Sequence, residues 1–374
     1  MKIVFTGGGT GGHLFPIIAI ARELWRLAPE KNLKLYYLGP HDKDGLLELS
    51  QEPQFTVKTV ASGKIRRYFS LRNFVDVLIA MPLGFLQSFF LLLVIRPQLV
   101  FSKGGSGSAM VTFAARVLGI PIFIHESDIV PGMSNTAICP WATKIFTSFE
   151  RTEYFDPAKT MVTGNPVKKE LQEGNKESAK DLFGLTLKKP VLLFMGGSQG
   201  AEPINDFVLS ALSNLLESYE IIHAAGNKHY ASVKAEADVV MDQGLAGYYH
   251  LYPTLNEIAL KHAYAAADII ISRAGSGSIF EIAAAGKPSI LIPLPGSAGD
   301  HQSKNAYAYA VNGATVVIEQ ENLTPNFFAG KIHFLLSQPE KMKNMSEAAR
   351  QFAKPLAAKA IAREILEFLG NPKS

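Results

Sequence analysis

Short apolar runs that end in glycine recur along this chain, separated by stretches whose apolar positions return every three or four residues. That alternation predicts parallel strands joined by crossover helices. Lys2 to Phe5 reads as a strand entering Thr6-Gly7-Gly8-Gly9-Thr10-Gly11-Gly12-His13, and Pro16 to Leu27 as a helix with proline in its first turn. Leu33 to Gly39 is the next strand, so the crossover is right-handed. Gln98 to Ser102 runs into Lys103-Gly104-Gly105-Ser106-Gly107, ahead of a helix from Ala109 to Leu118. Pro121 to Ile124 then delivers His125-Glu126-Ser127-Asp128. The rhythm pauses near Gly164-Asn165-Pro166, with a polar helical stretch from Glu170 to Phe183. It restarts where Pro190 to Met195 enters Gly196-Gly197-Ser198-Gln199-Gly200-Ala201. The openings KIVFTGGG and VLLFMGGS are alike. We expect an α/β protein of two Rossmann-like, doubly wound halves facing across a cleft, divided near Thr163 into 1–163 and 164–345. An amphipathic helix from about Ser346 to Leu369, within the tail 346–374, is placed back against the first half.

A chain of 374 residues is long enough for both halves to bury cores of their own. The single cysteine, Cys139, rules out an internal disulfide framework and a cysteine-based metal cluster, in keeping with a reducing cytoplasm. The apolar start at Met1 to Phe5 meets glycine too soon to be the core of a signal peptide. A net charge of +4 does not point to nucleic acid, and none is expected as a partner.

Where that charge sits matters more. Val77 to Ile95 carries no charge and is long enough to span a bilayer. Spanning would part the strands on either side of it, which need each other's hydrogen bonds, and Pro82, Gly84 and Gln87 interrupt the run. A crossover helix with one greasy outer face fits better. Just upstream, Lys58, Lys64, Arg66, Arg67 and Arg72 stand with no acid among them. Basic charge beside exposed apolar helix, here Ile79 and Phe85, is expected on a protein lying on an anionic membrane. A solvated loop beside an ordinary buried helix is the competing reading.

Candidate chemistry gathers on the glycine loops. Ile269-Ile270-Ile271 runs into Arg273-Ala274-Gly275-Ser276-Gly277-Ser278, and Glu281 follows one turn into an Ala-rich helix. Loop N–H groups and the positive helix end make an anion site, and a carboxylate one turn on suits a ribose diol. A second strand, Pro288 to Pro293, leads to Asp300-His301-Gln302 and Asn305, suited to sugar hydroxyls. Gly7, Gly9 and Gly12 satisfy the dinucleotide pattern, but Asp42 and Asp44 follow too late for its ribose acid. His13 at a helix start is better placed as a neutral general base, with simple helix capping as the alternative. Glu126 is an alternative base, and His125 also reads as a structural histidine. Asp42-Lys43-Asp44 lacks supporting acids, so no protein-held metal and no cofactor is expected.

Taken together, GGTGGH, GKIRRYFS, KGGSGS, HESD followed by PGMSN, TGNPV, GGSQGA, SRAGSGS with EIAAAGKP, and DHQSKNA occur in this order. The set resembles the MurG family of bacterial N-acetylglucosaminyltransferases, two-domain enzymes of the GT-B type that make lipid II. The resemblance runs from about residue 3 to 310.

It implies a donor, UDP-N-acetylglucosamine, held by the second half. Ser198 would hold the diphosphate, Ser276, Gly277 and Ser278 would back the phosphates, and Glu281 would take the ribose. His301 and Gln302 would take the sugar, with the uracil read by backbone near Leu251 to Pro253. Thr10, Gly11, Gly12, Asp128, Lys168 and Arg273 complete the donor set. The acceptor, lipid I, would meet the first half, its diphosphate near Gly11, Gly12, Gly104 and Gly105, with His125 and Asn135 beside it. Its polyprenyl tail would remain in the membrane, where Arg66, Arg67, Ile79 and Phe85 rest on the anionic inner leaflet. That places the enzyme peripherally, on the cytoplasmic face of the cell membrane. The family's usual pattern is altered at Ser106, where an aromatic is common, at Asp128, where an Asn is common, and at Lys168, where an Arg is common. A transferase acting on another lipid such as diacylglycerol, a nicotinamide oxidoreductase, and a catalytically inert sugar-nucleotide binder are the rival readings.

Overall fold

The computed structural model describes residues 1–8, 11–41, 49–52, 54–63, 76–150, 153–197 and 200–370. Two compact units divide the chain: Met1–Lys168 with Lys354–Ser374, and Lys169–Ala353.

In the first unit, β1 (Lys2–Thr6), β2 (Lys34–Gly39), β3 (Phe55–Thr59), β4 (Leu99–Ser102), β5 (Ile122–Glu126), β6 (Lys144–Thr147) and β7 (Thr160–Val162) form one sheet. Its order is β3-β2-β1-β4-β5-β6-β7 and every pairing is parallel. Ile3 stands between Leu35 and Leu99, which fixes the register of the three central strands. Side chains alternate across the sheet, so Ile3, Phe5, Phe101 and Phe123 pack on one face and Val4, Val100, Ile122 and Ile124 on the other. Both faces are covered, which explains strands with no polar side.

Helix α1 (Gly11–Leu27) covers the first face with Ile17, Ile20 and Leu24. α2 (Met81–Ile95) and α3 (Ala109–Val117) cover the second through Leu92, Ile95, Val111 and Ala115, and α4 (Met133–Ile138) follows β5. α1 begins at Gly11, before Pro16, so the proline lies inside the helix and not in its first turn. The ladder forgoes one bond there, to the Gly12 carbonyl. In return Gly11, Gly12 and His13 are carried on the opening turn.

The second unit repeats the plan. β8 (Val191–Met195), β9 (Glu220–Ala224), β10 (Tyr249–Tyr252), β11 (Ile269–Ser272), β12 (Ser289–Leu291) and β13 (Thr315–Val317) pair in parallel in the order β10-β9-β8-β11-β12-β13. The helices are α5 (Lys176–Phe183), α6 (Glu202–Ser218), α7 (Tyr230–Val240), α8 (Glu257–Ala266), α9 (Ser276–Ala284), α10 (His301–Ala310), α11 (Pro325–Leu336) and α12 (Pro339–Phe352). The polar stretch expected as one helix over 170–183 is a 3-10 turn, Lys169–Gln172, followed by α5.

The continuous helix expected over 346–369 is also two. α12 ends at Phe352 in the second unit, and a last helix, Ala357–Gly370, belongs to the first. Pro355 lies in the break: it has no N–H to give and keeps Lys354 out of helical geometry. The last helix buries Ile361, Ala362 and Ile365 beside α1, and Phe368 meets Phe123 with ring centroids 5.1 Å apart.

Each sheet reverses its strand order once, between β1 and β4 and between β8 and β11. Such switch points place ligands at the carboxyl ends of the strands. The glycine loops that follow β1, β4, β8 and β11 leave from there.

Candidate active site

At the first switch point the loops after β1 and β4 touch backbone to backbone. A Cβ on Gly8 would stand 3.0 Å from the Gly105 Cα, and one on Gly105 would stand 2.9 Å from the Gly8 Cα. Gly104 and Gly105 also hold φ of +81° and +83°, the left-handed region, so glycine is needed there twice over. Tyr37 donates its hydroxyl to the Gly7 carbonyl at 3.1 Å and ties β2 into the same corner.

His13 sits on this corner, half-buried, with Nδ1 3.3 Å from the Lys103 carbonyl. A carbonyl only accepts, so the bond puts the proton on Nδ1 and leaves Nε2 as the acceptor, on the Gly105 side. Burial lowers the His13 pKa to about 4, and the Lys103 charge adds to the effect against an opposing pull from Asp128. The ring is therefore neutral at physiological pH, the form a general base requires.

Lys103 was not among the residues the sequence singled out for chemistry. It is only 1 % exposed, and its ammonium donates to the Ser127 hydroxyl. Burial brings its pKa down to about 8, while Glu126 and Asp128 hold it up. Lysine in a glycine loop reads as solvated, and only the fold reveals that it points inward.

Glu126, the alternative base, is spent on its own loop. Oε1 accepts from the Asp128 N–H at 3.0 Å; Oε2 accepts from the Gly132 N–H at 3.0 Å and from Asn135 Nδ2 at 2.9 Å. Burial raises its pKa, with the Asp128 charge second. His125 is 0 % exposed and bonds the Gly164 carbonyl through Nε2 at 3.1 Å. Of the residues expected at the acceptor, His125 is sealed in the sheet, and Asn135 is buried with its amide on the His125 carbonyl and Glu126. Asp128 is half-buried at the rim. Lys168 ends the first unit with its ammonium 4.6 Å from the centroid of the Phe15 ring on α1. Thr10, Asp42, Lys43 and Asp44 lie outside the described residues.

At the second switch point, β11 leads through Arg273-Ala274-Gly275 into α9. A Cβ on Gly275 or Gly277 would meet nothing, so the space over the helix start is open. Ser276 is buried there, and its hydroxyl has no partner among the described residues. Ser278 lies half-buried on the same turn. The N-terminus of α9, with its free N–H groups, can take an anion. Ser198 falls outside the described residues; the flanking Gly197 and Gly200 hold φ of +79° and +73°.

Glu281, one turn along α9, accepts a hydrogen bond from Tyr264 of α8 at 2.9 Å. Arg273, expected in the donor set, lies just ahead of α9. Its guanidinium turns inward, donating to the carbonyls of Ile292 and Pro293 at 3.2 Å each and to Gln320 Oε1 at 2.7 Å. It fastens the loops after β12 and β13 beneath the site. His301 and Gln302 open α10, where Gln302 Oε1 accepts the Leu294 N–H at 3.0 Å. The residue before them, Asp300, holds φ of +58° without being glycine, a strained link that sequence could not reveal. Behind the β8 loop, His223 donates from Nε2 to Asn205 Oδ1 at 3.0 Å and accepts from the Tyr249 hydroxyl at 2.8 Å. Burial lowers its pKa to about 3.

The apolar run forms a π-helical turn, Asp76–Ala80, and α2. Its fully buried residues are Gly84, Ser88, Leu92 and Ile95, spaced on one stripe, with Phe85, Phe89 and Leu91 half-buried beside them. Ile79 is 61 %, Phe90 62 % and Val94 80 % exposed, whereas Phe85 turns in toward Phe113. The interruptions noted in the sequence have structural work. A side chain at Gly84 would overlap the Ala61 carbonyl, and Gln87 Oε1 accepts the Ala61 N–H at 2.7 Å. β1 pairs directly with β4, so α2 crosses over a single sheet. Arg66 and Arg67 lie outside the described residues.

Two parallel switch-point sheets, one presenting a histidine and the other an anion-binding helix start with a carboxylate, define a two-unit group transferase. Residues 3–147 match the glycosyltransferase family 28 N-terminal domain and residues 191–361 its C-terminal domain. The chain belongs to glycosyltransferase family 28, within its MurG branch. It is 36 % identical over 357 residues to a Clostridium kluyveri protein named UDP-N-acetylglucosamine--N-acetylmuramyl-(pentapeptide) pyrophosphoryl-undecaprenol N-acetylglucosamine transferase, covering 94 % of this chain and 96 % of that one. A Geobacillus kaustophilus protein of the same name is 37 % identical, covering 93 % and 94 %. The crystal structure of Acinetobacter baumannii MurG superposes with a TM-score of 0.71 at 25 % identity, covering 98 % of this chain and 99 % of that one.

Proposed function

We propose that this enzyme transfers N-acetylglucosamine from UDP-N-acetylglucosamine to the 4-hydroxyl of the muramoyl sugar of lipid I, giving lipid II for peptidoglycan synthesis. The observation that carries the reading is the chain-long similarity to transferases named for that donor and that acceptor. The site chemistry supports it. His13, neutral and with Nε2 left as acceptor, takes the proton of the acceptor hydroxyl, and that oxygen attacks the anomeric carbon in one inverting displacement. UDP leaves, and the start of α9 receives the charge that grows on its diphosphate. Glu281 takes the ribose diol, and His301 and Gln302 meet the sugar. Glu126 holds the loop after β5 and does not serve as the base.

The enzyme works peripherally on the cytoplasmic face of the cell membrane. The exposed face of 76–95, joined by Phe113, Val117 and Trp141, supports this placement, and the basic residues Arg66 and Arg67 adjoin it in sequence. The substrate assignment is tested by UDP release from UDP-N-acetylglucosamine in the presence of a short-chain lipid I analogue or of diacylglycerol. Release with the lipid I analogue alone is expected. Equal release with diacylglycerol would overturn the acceptor.

A further inference from the structure

A glycine loop that approaches a substrate has no packing need for lysine. Lys103 is nevertheless buried in one, with its carbonyl at His13 and its ammonium on Ser127 just after β5. An ammonium removed from water costs several kcal/mol unless its surroundings repay it, and an apolar side chain would fill the space without that cost. Hydrogen bonding of Glu126 does not require the lysine, because three other donors already serve that carboxylate. The hydrogen bond to Ser127 does not require a charge either. What remains is His13. Its ring hangs on the Lys103 carbonyl at 3.3 Å, where the Asp128 charge draws it toward protonation and the Lys103 charge opposes this, while Glu126 and Asp128 both act on the ammonium. Lys168, a second cation beside α1, lies on the Phe15 ring. Asp128 left to itself would draw a proton toward the imidazole and weaken it as a base.

We propose that Lys103 is a positioning residue for His13, fixing the ring's orientation through its carbonyl and balancing Glu126 and Asp128 through its buried ammonium. The proposal rests on His13 being the base, and its test separates the two. The histidine ring is titrated by nitrogen NMR and the pH dependence of kcat/KM for the lipid I analogue is recorded, in wild type, Lys103→Met and Lys103→Arg. Lys103→Met is expected to move the His13 titration and the acid limb of the rate profile upward together by about one pH unit, the low end of what a neighbouring charge does. Lys103→Arg keeps the charge and leaves both in place. A folded Lys103→Met with an unmoved ring titration overturns the proposal. A moved titration with an unmoved rate profile upholds the role of Lys103 and removes His13 as the base. Should Lys103→Met fail to fold, Lys103→Gln takes its place. That change must likewise move the ring titration upward, and a shift downward or none overturns the proposal.

Discussion

The hydroxyl of Tyr264 on α8 donates to Oε2 of Glu281 on α9 at 2.9 Å. Tyr264 is buried, and burial, reinforced by the Glu281 charge, holds its pKa well above the usual tyrosine value, so it remains a donor at any working pH. The carboxylate is thus held by a neighbouring helix in the orientation a ribose diol would meet. Tyr264→Phe removes one hydrogen bond to a charged acceptor, worth about 1.5 kcal/mol. KM for UDP-N-acetylglucosamine should rise roughly tenfold with kcat within a factor of about two, since the contact serves ground and transition state alike. Steady-state kinetics at saturating acceptor check this.

The pH profile of kcat/KM reports the ionisation of the free enzyme. With His13 lowered to about 4, activity should persist well below pH 6 and fall as the ring gains its proton near pH 4. An acid limb near the ordinary histidine value of about 6.5 would mean that the ring is solvated in the working enzyme.

Stability should fall in acid for a separate reason. His223 has a folded pKa of about 3, below its unfolded value. Between the two the unfolded chain binds a proton that the folded chain refuses, so stability declines as pH drops from about 6.5 toward 3. From pH 7 to 5 this one group contributes a loss of about 2 kcal/mol. Urea unfolding of His223→Gln at the two pH values should show a loss smaller by that amount, though the variant starts less stable, with Asn205 and Tyr249 deprived of their partner.

The outer face of 76–95 can be tested without touching the core. Leu78 and Phe90 are exposed, and each side chain inserted into lipid is worth about 1.5–3 kcal/mol. Leu78→Asp with Phe90→Asp should lower binding to vesicles containing anionic phospholipid more than tenfold and leave the unfolding temperature nearly unchanged. Unaltered flotation with the vesicles would rule out this face as the membrane contact.

Much of the fold was legible because both sheets are all-parallel. Runs such as Val191 to Met195, buried on both faces, have no polar alternation to confuse, and glycine marks the point where each meets its loop. Helix ends were less legible, because packing overrides propensity: α1 runs ahead of Pro16, while Pro355 breaks what periodicity alone would continue. In the sites, the residue types were legible and their directions were not. Arg273 and Glu126 have the chemistry to meet a substrate, yet each is turned onto backbone groups of its own unit. Tyr264 and Lys103 were missed for the opposite reason. One sits in the apolar stripe of a helix and the other in a loop that reads as solvent-facing, and only tertiary structure brings them to Glu281 and His13.

The most direct test of the central claim is turnover by His13→Ala, measured alongside its affinity for UDP-N-acetylglucosamine. A loss of kcat of about a hundredfold or more with donor affinity nearly unchanged is the expected result, because general base catalysis contributes on that scale and the diphosphate, ribose and sugar contacts are assigned to the other unit. Near-normal turnover with the lipid I analogue would contradict it.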